Sequence, residues 1–317
     1  MHPVAGLVST ASLVAAGLFG GGPVQGGPVQ GGPVSYDFTA AFAATSARPS
    51  VAPPGANDFS CRPSAAHPDP VILVHGTFEN MDDNWRAASP LLANHGYCVF
   101  AFNYGGATAG SPVQGTGEIA ASARQLASFV RTVRAATGAA QVDLVGHSQG
   151  GMMPRYYLKY LGGASSVRIL VGLAPSNHGT TIDGLTTLSG DLGVPGPVNV
   201  LLGVGCYACV QQEVGSSFLA ALNAGGDVVS GVRYTVIETR DDEVVTPYTS
   251  AFLAGAGVTD LTVQDQCPAD QADHLEISYD PVALADVLNA LDPASPVPVP
   301  CMTVLPLTGP VGAVPSF

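Results

Sequence analysis

A chain of 317 residues with 46% hydrophobic and only 11% charged side chains has the material for a sizeable core. Its formal net charge is −13, with 11 Lys+Arg and a single lysine, Lys159. That balance offers no basic footprint for nucleic acid and no polybasic patch for a membrane surface.

The N-terminus opens with an uncharged apolar run, residues 5–19, too short to span a membrane comfortably and similar to a signal-peptide core. Ala41-Phe42-Ala43 offers a small-residue cleavage site, and the repeat "GGPVQGGPVQGGPV" at 21–34 is low complexity. Residues 1–57 are therefore set aside as a signal and disordered N-terminal segment. From Asp58 the pattern alternates. "PVILVHG" (70–76) reads as a buried strand ending in glycine. Residues 84–96 read as a helix closed by Gly96, with Pro90 a break, and 97–105 as a second strand. After a small-residue loop (106–117), the periodicity of Ile119, Leu126, Phe129, Val130 and Val133 predicts a helix over 118–137, closed by Gly138. Strand 141–146, helix 149–161 and strand 167–174 follow. Residues 176–215 read as irregular, either a lid or a buried apolar loop. A short helix is expected at 216–223, strands at 232–240 and 261–267, and a helix at 280–291 with Asp280 as cap and Pro281 first. The tail, 302–317, follows a proline-rich stretch that begins at Pro293. No later apolar run is long enough for a transmembrane anchor.

Alternating βαβα units predict an α/β fold: a mostly parallel central sheet with helices on both faces. Ligands in such sheets bind beyond the carboxyl ends of the strands. Gly146-His147-Ser148-Gln149-Gly150 stands there, a G-x-S-x-G turn between strand and helix. A serine needs a base, and the order for this turn type is serine, acid, histidine. Only His178 and His274 follow Ser148. His274 is the better base because an acid-bearing strand end, 240–243, precedes it. His178 reads as a pocket wall or surface group, and His147 as packing or orienting the turn. Asp241 and Asp242 are both candidates for the acid, ahead of Glu243, and Asp273 flanks His274. Two backbone N–H groups are needed for an oxyanion: one from Gln149, one from the loop 75–78. Pro154, inside the helix after Ser148, predicts a bend or a widened first turn.

Six cysteines, an even number, fit disulfides in an exported chain. Cys206-Tyr-Ala-Cys209 has neither a second CxxC nor an HxxxH to complete a zinc site, so no metal is expected.

Four stretches, "VILVHGTF", "VDLVGHSQGGMMPRYYLKYLGG", "ETRDDEVVTPYTSAF" and "VQDQCPADQADHLEISYDPVAL", together resemble the secreted class 2 lipases of actinobacteria, within the α/β-hydrolase superfamily. The resemblance runs from about Cys61 to Cys301. It makes 58–301 a single α/β-hydrolase catalytic domain. It implies Ser148 as nucleophile, His274 as base, and Asp242 as acid, since the family aspartate directly precedes Glu-Val-Val. Asp241 departs from that pattern, where a neutral residue is expected. The resemblance further implies oxyanion donors at Thr77 and Gln149, and disulfides Cys61–Cys98, Cys206–Cys209 and Cys267–Cys301. The protein expected is a secreted, monomeric serine ester hydrolase needing no cofactor. Its substrate would be a hydrophobic ester such as an acylglycerol, or a polyester, met at a lipid–water interface. An acyltransferase with the same triad, a serine peptidase on the scaffold, and a non-catalytic binding protein are the alternatives.

Overall fold

The computed structural model of the protein describes residues 30–45, 48–193 and 205–317. Six parallel strands form its central sheet: β1 (Val71–Val74), β2 (Val99–Ala101), β3 (Val142–His147), β4 (Val167–Leu173), β5 (Arg233–Glu238) and β6 (Val258–Thr262). Their order is β2-β1-β3-β4-β5-β6. Every residue of β1 and β3 is buried, so both faces of these strands are covered and hydrophobicity does not alternate. The chain steps outward from β1 to β2, returns past β1 to β3, and then runs the other way. The direction reverses between β1 and β3, whose ends lie side by side with Val74 beside Gly146. In sheets of this kind that is where sites form.

Right-handed crossovers divide the connecting helices between the faces. Helix α2 (Ala88–Asn94) serves the outward step, while α3 (Ile119–Thr137) and α4 (Gln149–Tyr160) pack together on the opposite face. Helix α3 buries Ile119, Ala123, Leu126, Val130 and Val133 and ends at Gly138, with φ 78°. Before β5 come α5 (Ile182–Asp191), α6 (Tyr207–Gln212) and α7 (Ser217–Asn223); after β6 come α8 (Val263–Gln266) and α9 (Pro281–Leu291). The Asp280 carboxylate caps α9 by accepting from Val282 and Ala283, and the helix packs on β4 and β5.

Several expectations are revised. Pro90 does not break its helix. It is the third residue of α2, in the first turn, where a missing N–H costs no intrahelical bond. The second strand is only Val99–Ala101. The strand expected at 261–267 lies at 258–262, and 263–266 turns into α8. Part of 176–215 is helical: Thr181 caps α5 by accepting from Gly184, and α6 follows. The remainder of a lid there, 194–204, lies outside the described residues.

Pro154 does not interrupt α4, which is α-helical through all 12 residues from Gln149 to Tyr160, with no widened first turn. The carbonyl that has no N–H to accept from at position 154 belongs to Gly150. Its oxygen lies against Gly146, where a Cβ would overlap it. Glycine at 146 gives that carbonyl room. At the far end of α4, Lys159 Nζ donates to the carbonyls of Leu222, Ala224 and Gly226 at 2.8, 2.6 and 3.3 Å.

The ends of the described chain are more ordered than the sequence suggests. Helix α1 (Phe38–Thr45) falls in the segment set aside as disordered, and Ala41-Phe42-Ala43 lies inside it. Phe38 packs against Phe42 and edge-on to Tyr279. The expected apolar leader, 5–19, lies outside the described residues. The tail forms a small antiparallel pair, β7 (Val304–Leu305) and β8 (Gly309–Pro310). Thr39 N–H donates to Leu307 O at 3.0 Å and Gln271 N–H to Val304 O at 3.0 Å. The two ends thus form one wrap over the loop around residue 274. Disulfides join Cys61–Cys98, Cys206–Cys209 and Cys267–Cys301, and the last ties α8 to the segment before β7. Among the described residues no helix is long and apolar enough to cross a membrane.

Candidate active site

Ser148 sits at the β3–α4 junction with φ 53° and ψ −122°. Few non-glycine residues hold such a backbone, and its strain marks a functional turn. The turn is shut around it. A Cβ on Gly150 would overlap the Val74 carbonyl, and Ser148 N–H donates to Leu173 O at 2.9 Å. Helix α4 starts immediately behind, presenting its first N–H groups to the site.

His274 is fully buried, and its Nδ1–H donates to Asp242 Oδ2 at 2.8 Å. The other Asp242 oxygen accepts from the N–H groups of Val244 and Val245, both at 2.7 Å, so the carboxylate cannot swing. Asp241 is exposed; Asp242, not Asp241, meets the histidine. Burial alone would lower the His274 pKa. The Asp242 carboxylate, aided by Glu243 and Glu79, outweighs burial and raises it to about 9. Glu243 Oε2 also accepts from His274 N–H at 3.3 Å. Behind Asp242, burial and the Asp242 charge push the Glu238 carboxyl well above its usual range. Asp273 Oδ1 accepts from Glu276 N–H at 2.7 Å. The second ring nitrogen of His274, Nε2, is buried and has no hydrogen-bond partner among the described residues. It makes no hydrogen bond to Ser148.

Opposite this pair lies the turn after β1. The backbone N–H groups of Thr77 and Gln149 meet no acceptor among the described residues. Side chains hold the two positions together. Gln149 Nε2 donates to Thr77 Oγ1 at 2.7 Å and to Gly115 O at 2.7 Å, and Gln212 Nε2 donates to Thr77 Oγ1 at 2.9 Å. Gln212 comes from α6, a helix the sequence reading did not foresee, and no local pattern announces its role.

His178 stays apart, half-buried between Ser250 O and Asp227. His147 is fully buried, with Nε2 at 2.8 Å from His274 O and Nδ1 at 2.9 Å from Glu79 Oε2. Glu79 and Asn84, also beside His147, were not anticipated from the sequence. Among the described residues no group of three or more His, Cys, Asp or Glu is arranged to hold a metal ion.

The model of the lipase (class 2) family matches residues 68–284. A triacylglycerol lipase of Pseudarthrobacter phenanthrenivorans is 42% identical over 92 residues, covering 27% of this chain and 27% of that protein. One from Burkholderia plantarii is 42% identical over 92 residues, covering 27% of this chain and 24% of that protein. The matched stretch thus spans about a quarter of those relatives' length. Among solved structures, Aspergillus fumigatus lipase B superposes with a TM-score of 0.60 at 21% identity, over 78% of this chain and 57% of that one. Bacillus licheniformis lipase BlEst2 in mature form gives 0.50 at 17% identity, over 69% and 89%. At these identities the structural likeness speaks to the shared α/β-hydrolase fold.

Proposed function

The chain belongs to the class 2 lipase family, and from that premise we propose that it is a secreted serine ester hydrolase acting on hydrophobic esters of the acylglycerol type. The observation that carries the reading is the convergence of three groups. A serine on a strained turn and two unengaged N–H groups lie at the β1–β3 switch point, and the loop carrying a histidine bonded to a fixed aspartate meets that turn where His147 Nε2 lies 2.8 Å from the His274 carbonyl. Three disulfides support an oxidising, extracytoplasmic setting.

In this reading Ser148 Oγ attacks the ester carbonyl while His274 Nε2 takes its proton. Asp242 holds the imidazole in the tautomer with Nδ1 protonated and stabilises its positive charge. The N–H groups of Thr77 and Gln149 receive the negative charge that develops on the carbonyl oxygen. Losing one such donor costs about 3 kcal/mol. His274 returns the proton to the leaving alcohol, an acyl-enzyme remains on Ser148, and water activated by His274 releases the fatty acid. The base must be neutral to begin.

Ser148→Ala is expected to fold normally and to lose on the order of a million-fold in kcat on a chromogenic short-chain ester. A folded variant retaining most of its activity would overturn the scheme. A panel of triacylglycerols, soluble esters, a polyester film and peptides, run with and without added alcohol, then fixes the substrate class. Hydrolysis of the neutral esters is the expected outcome.

A further inference from the structure

Three loops of the site, far apart in sequence, meet on one buried polar cluster that the mechanism above does not use. His147 lies at its centre. Its Nε2 is 2.8 Å from the main-chain oxygen of His274, an acceptor only, so this nitrogen carries a proton. Its Nδ1 is 2.9 Å from Glu79 Oε2 and 3.1 Å from Asn84 Nδ2. The Asn84 carboxamide has its orientation set on its other side. Its oxygen accepts from Gly76 N–H at 2.9 Å, and its nitrogen also reaches Ser278 Oγ at 3.2 Å. Asn84 and His147 therefore join the loop that carries Thr77, the turn that carries Ser148 and the loop that carries His274.

Glu79 is fully buried, and its second oxygen has no hydrogen-bond partner among the described residues. The titratable groups near it are His147, Asp83, Tyr104, Tyr279 and, more distantly, His274. A lone carboxylate in such a place is costly. His147 Nδ1, 2.9 Å from Oε2, is the group that meets the other Glu79 oxygen.

We propose that Glu79 and His147 form a second acid–histidine pair that positions the first, fixing the main chain of His274 so that its ring stays aimed at Ser148. The proposal rests on the reading of Ser148, His274 and Asp242 as the triad. His147 and Glu79 are positioning residues and touch no reacting atom.

The test compares His147→Phe, His147→Gln, Asp242→Asn and the double variant His147→Phe/Asp242→Asn on a soluble chromogenic ester, with Ser148→Ala alongside. Competent sites are counted with a fluorophosphonate. His147→Phe is expected to lower kcat per site by about tenfold to a hundredfold, the scale of a misplaced reacting group, with KM little changed. His147→Gln, whose amide N–H can reach the same carbonyl, recovers part of the loss. The double variant loses less than the product of the single losses, because both changes act through His274. An unchanged kcat in folded His147→Phe, or independent multiplication of the two losses, overturns the proposal. Should His147→Phe not fold, ring-nitrogen NMR of ¹⁵N-labelled wild type decides: Nε2 of His147 is expected to stay protonated throughout neutral pH, and a bare Nε2 there overturns it. Activity surviving in Ser148→Ala would instead defeat the triad reading itself.

Discussion

The loop bearing His274 is gripped from two sides, and the two grips are built differently. On the inside is the turn around Ser148, where neighbouring residues leave one another no choice. A methyl group on Gly146 or Gly150 would overlap a carbonyl oxygen, and His147 reaches the His274 main chain directly. On the outside is the wrap of α1 and the β7–β8 pair, joined by contacts between residues more than two hundred positions apart. Phe38 meets Tyr279, its N–H donates to Glu276 Oε2 at 3.2 Å, and Thr39 meets Leu307. The inner grip constrains each position to a residue type. The outer grip spreads its energy over many replaceable contacts. Damage to the first should therefore appear as lost chemistry in a folded protein, and damage to the second as lost stability in an active one.

The largest effect that sharpens this contrast is Asp242→Asn. Its kcat should fall about ten thousand-fold with the fold intact, the loss seen when a triad aspartate is neutralised. The pH profile should change too. With the His274 pKa raised to about 9, wild-type kcat/KM should climb from neutral pH toward that value, because only the neutral ring can take the serine proton. Without the Asp242 charge the limb should move to lower pH. A limb that stays put would remove Asp242 as the source of the shift.

Next comes Phe38→Ala, which should cost about 3 kcal/mol in a urea melt. Turnover per titrated site, measured well below the melting temperature, should hold. If turnover falls with stability, the wrap shapes the site and the contrast breaks.

The remaining change is expected to give a gain. Burial, then the nearby Asp273 and Asp280 charges, raise the Glu276 pKa to about 10, although Phe38 N–H favours the ionised form. The unfolded chain releases this proton near the ordinary glutamate value and the folded chain much later. Native stability therefore falls from about pH 4.5 upward, until the folded carboxyl itself ionises. Glu276→Gln removes that term. Its melting temperature should exceed that of wild type increasingly as pH rises from 5 to 9, and a constant difference would refute the account.

How much of this was readable in the sequence follows the same division. The strands, α3, α4, α9 and the serine turn are short-range features, so VILV, the glycine spacing and the Asp280-Pro281 start could be read directly. Choosing between Asp241 and Asp242 on the residues alone was not possible. Adjacent side chains leave a turn in opposite directions, and Val244 and Val245 decide which carboxylate is held inside. The β6 boundary was missed because Thr259 and Asp260 lie exposed on an edge strand, while the apolar signal sits in the following residues. Helix α1 was missed because its uncharged "FTAAFAAT" resembles leader sequence; its partners, Tyr279 and Leu307, lie at the other end of the chain. Gln212, Glu79 and Asn84 are polar residues without a motif. Only the assembled fold shows that Thr77 Oγ1 and the His147 ring need them.

Lys159, with its amine seated on three carbonyls at the end of α7, has a practical consequence. It is the single lysine of the sequence, and it stands eleven positions along the chain from Ser148, roughly 16 Å at helical rise. Aldehyde or activated-ester carriers would therefore find one side-chain amine, and every molecule captured through it would face its support in the same orientation. Capture also competes with the bonds that tether α7, so the attachment chemistry and the local stability of that corner are coupled.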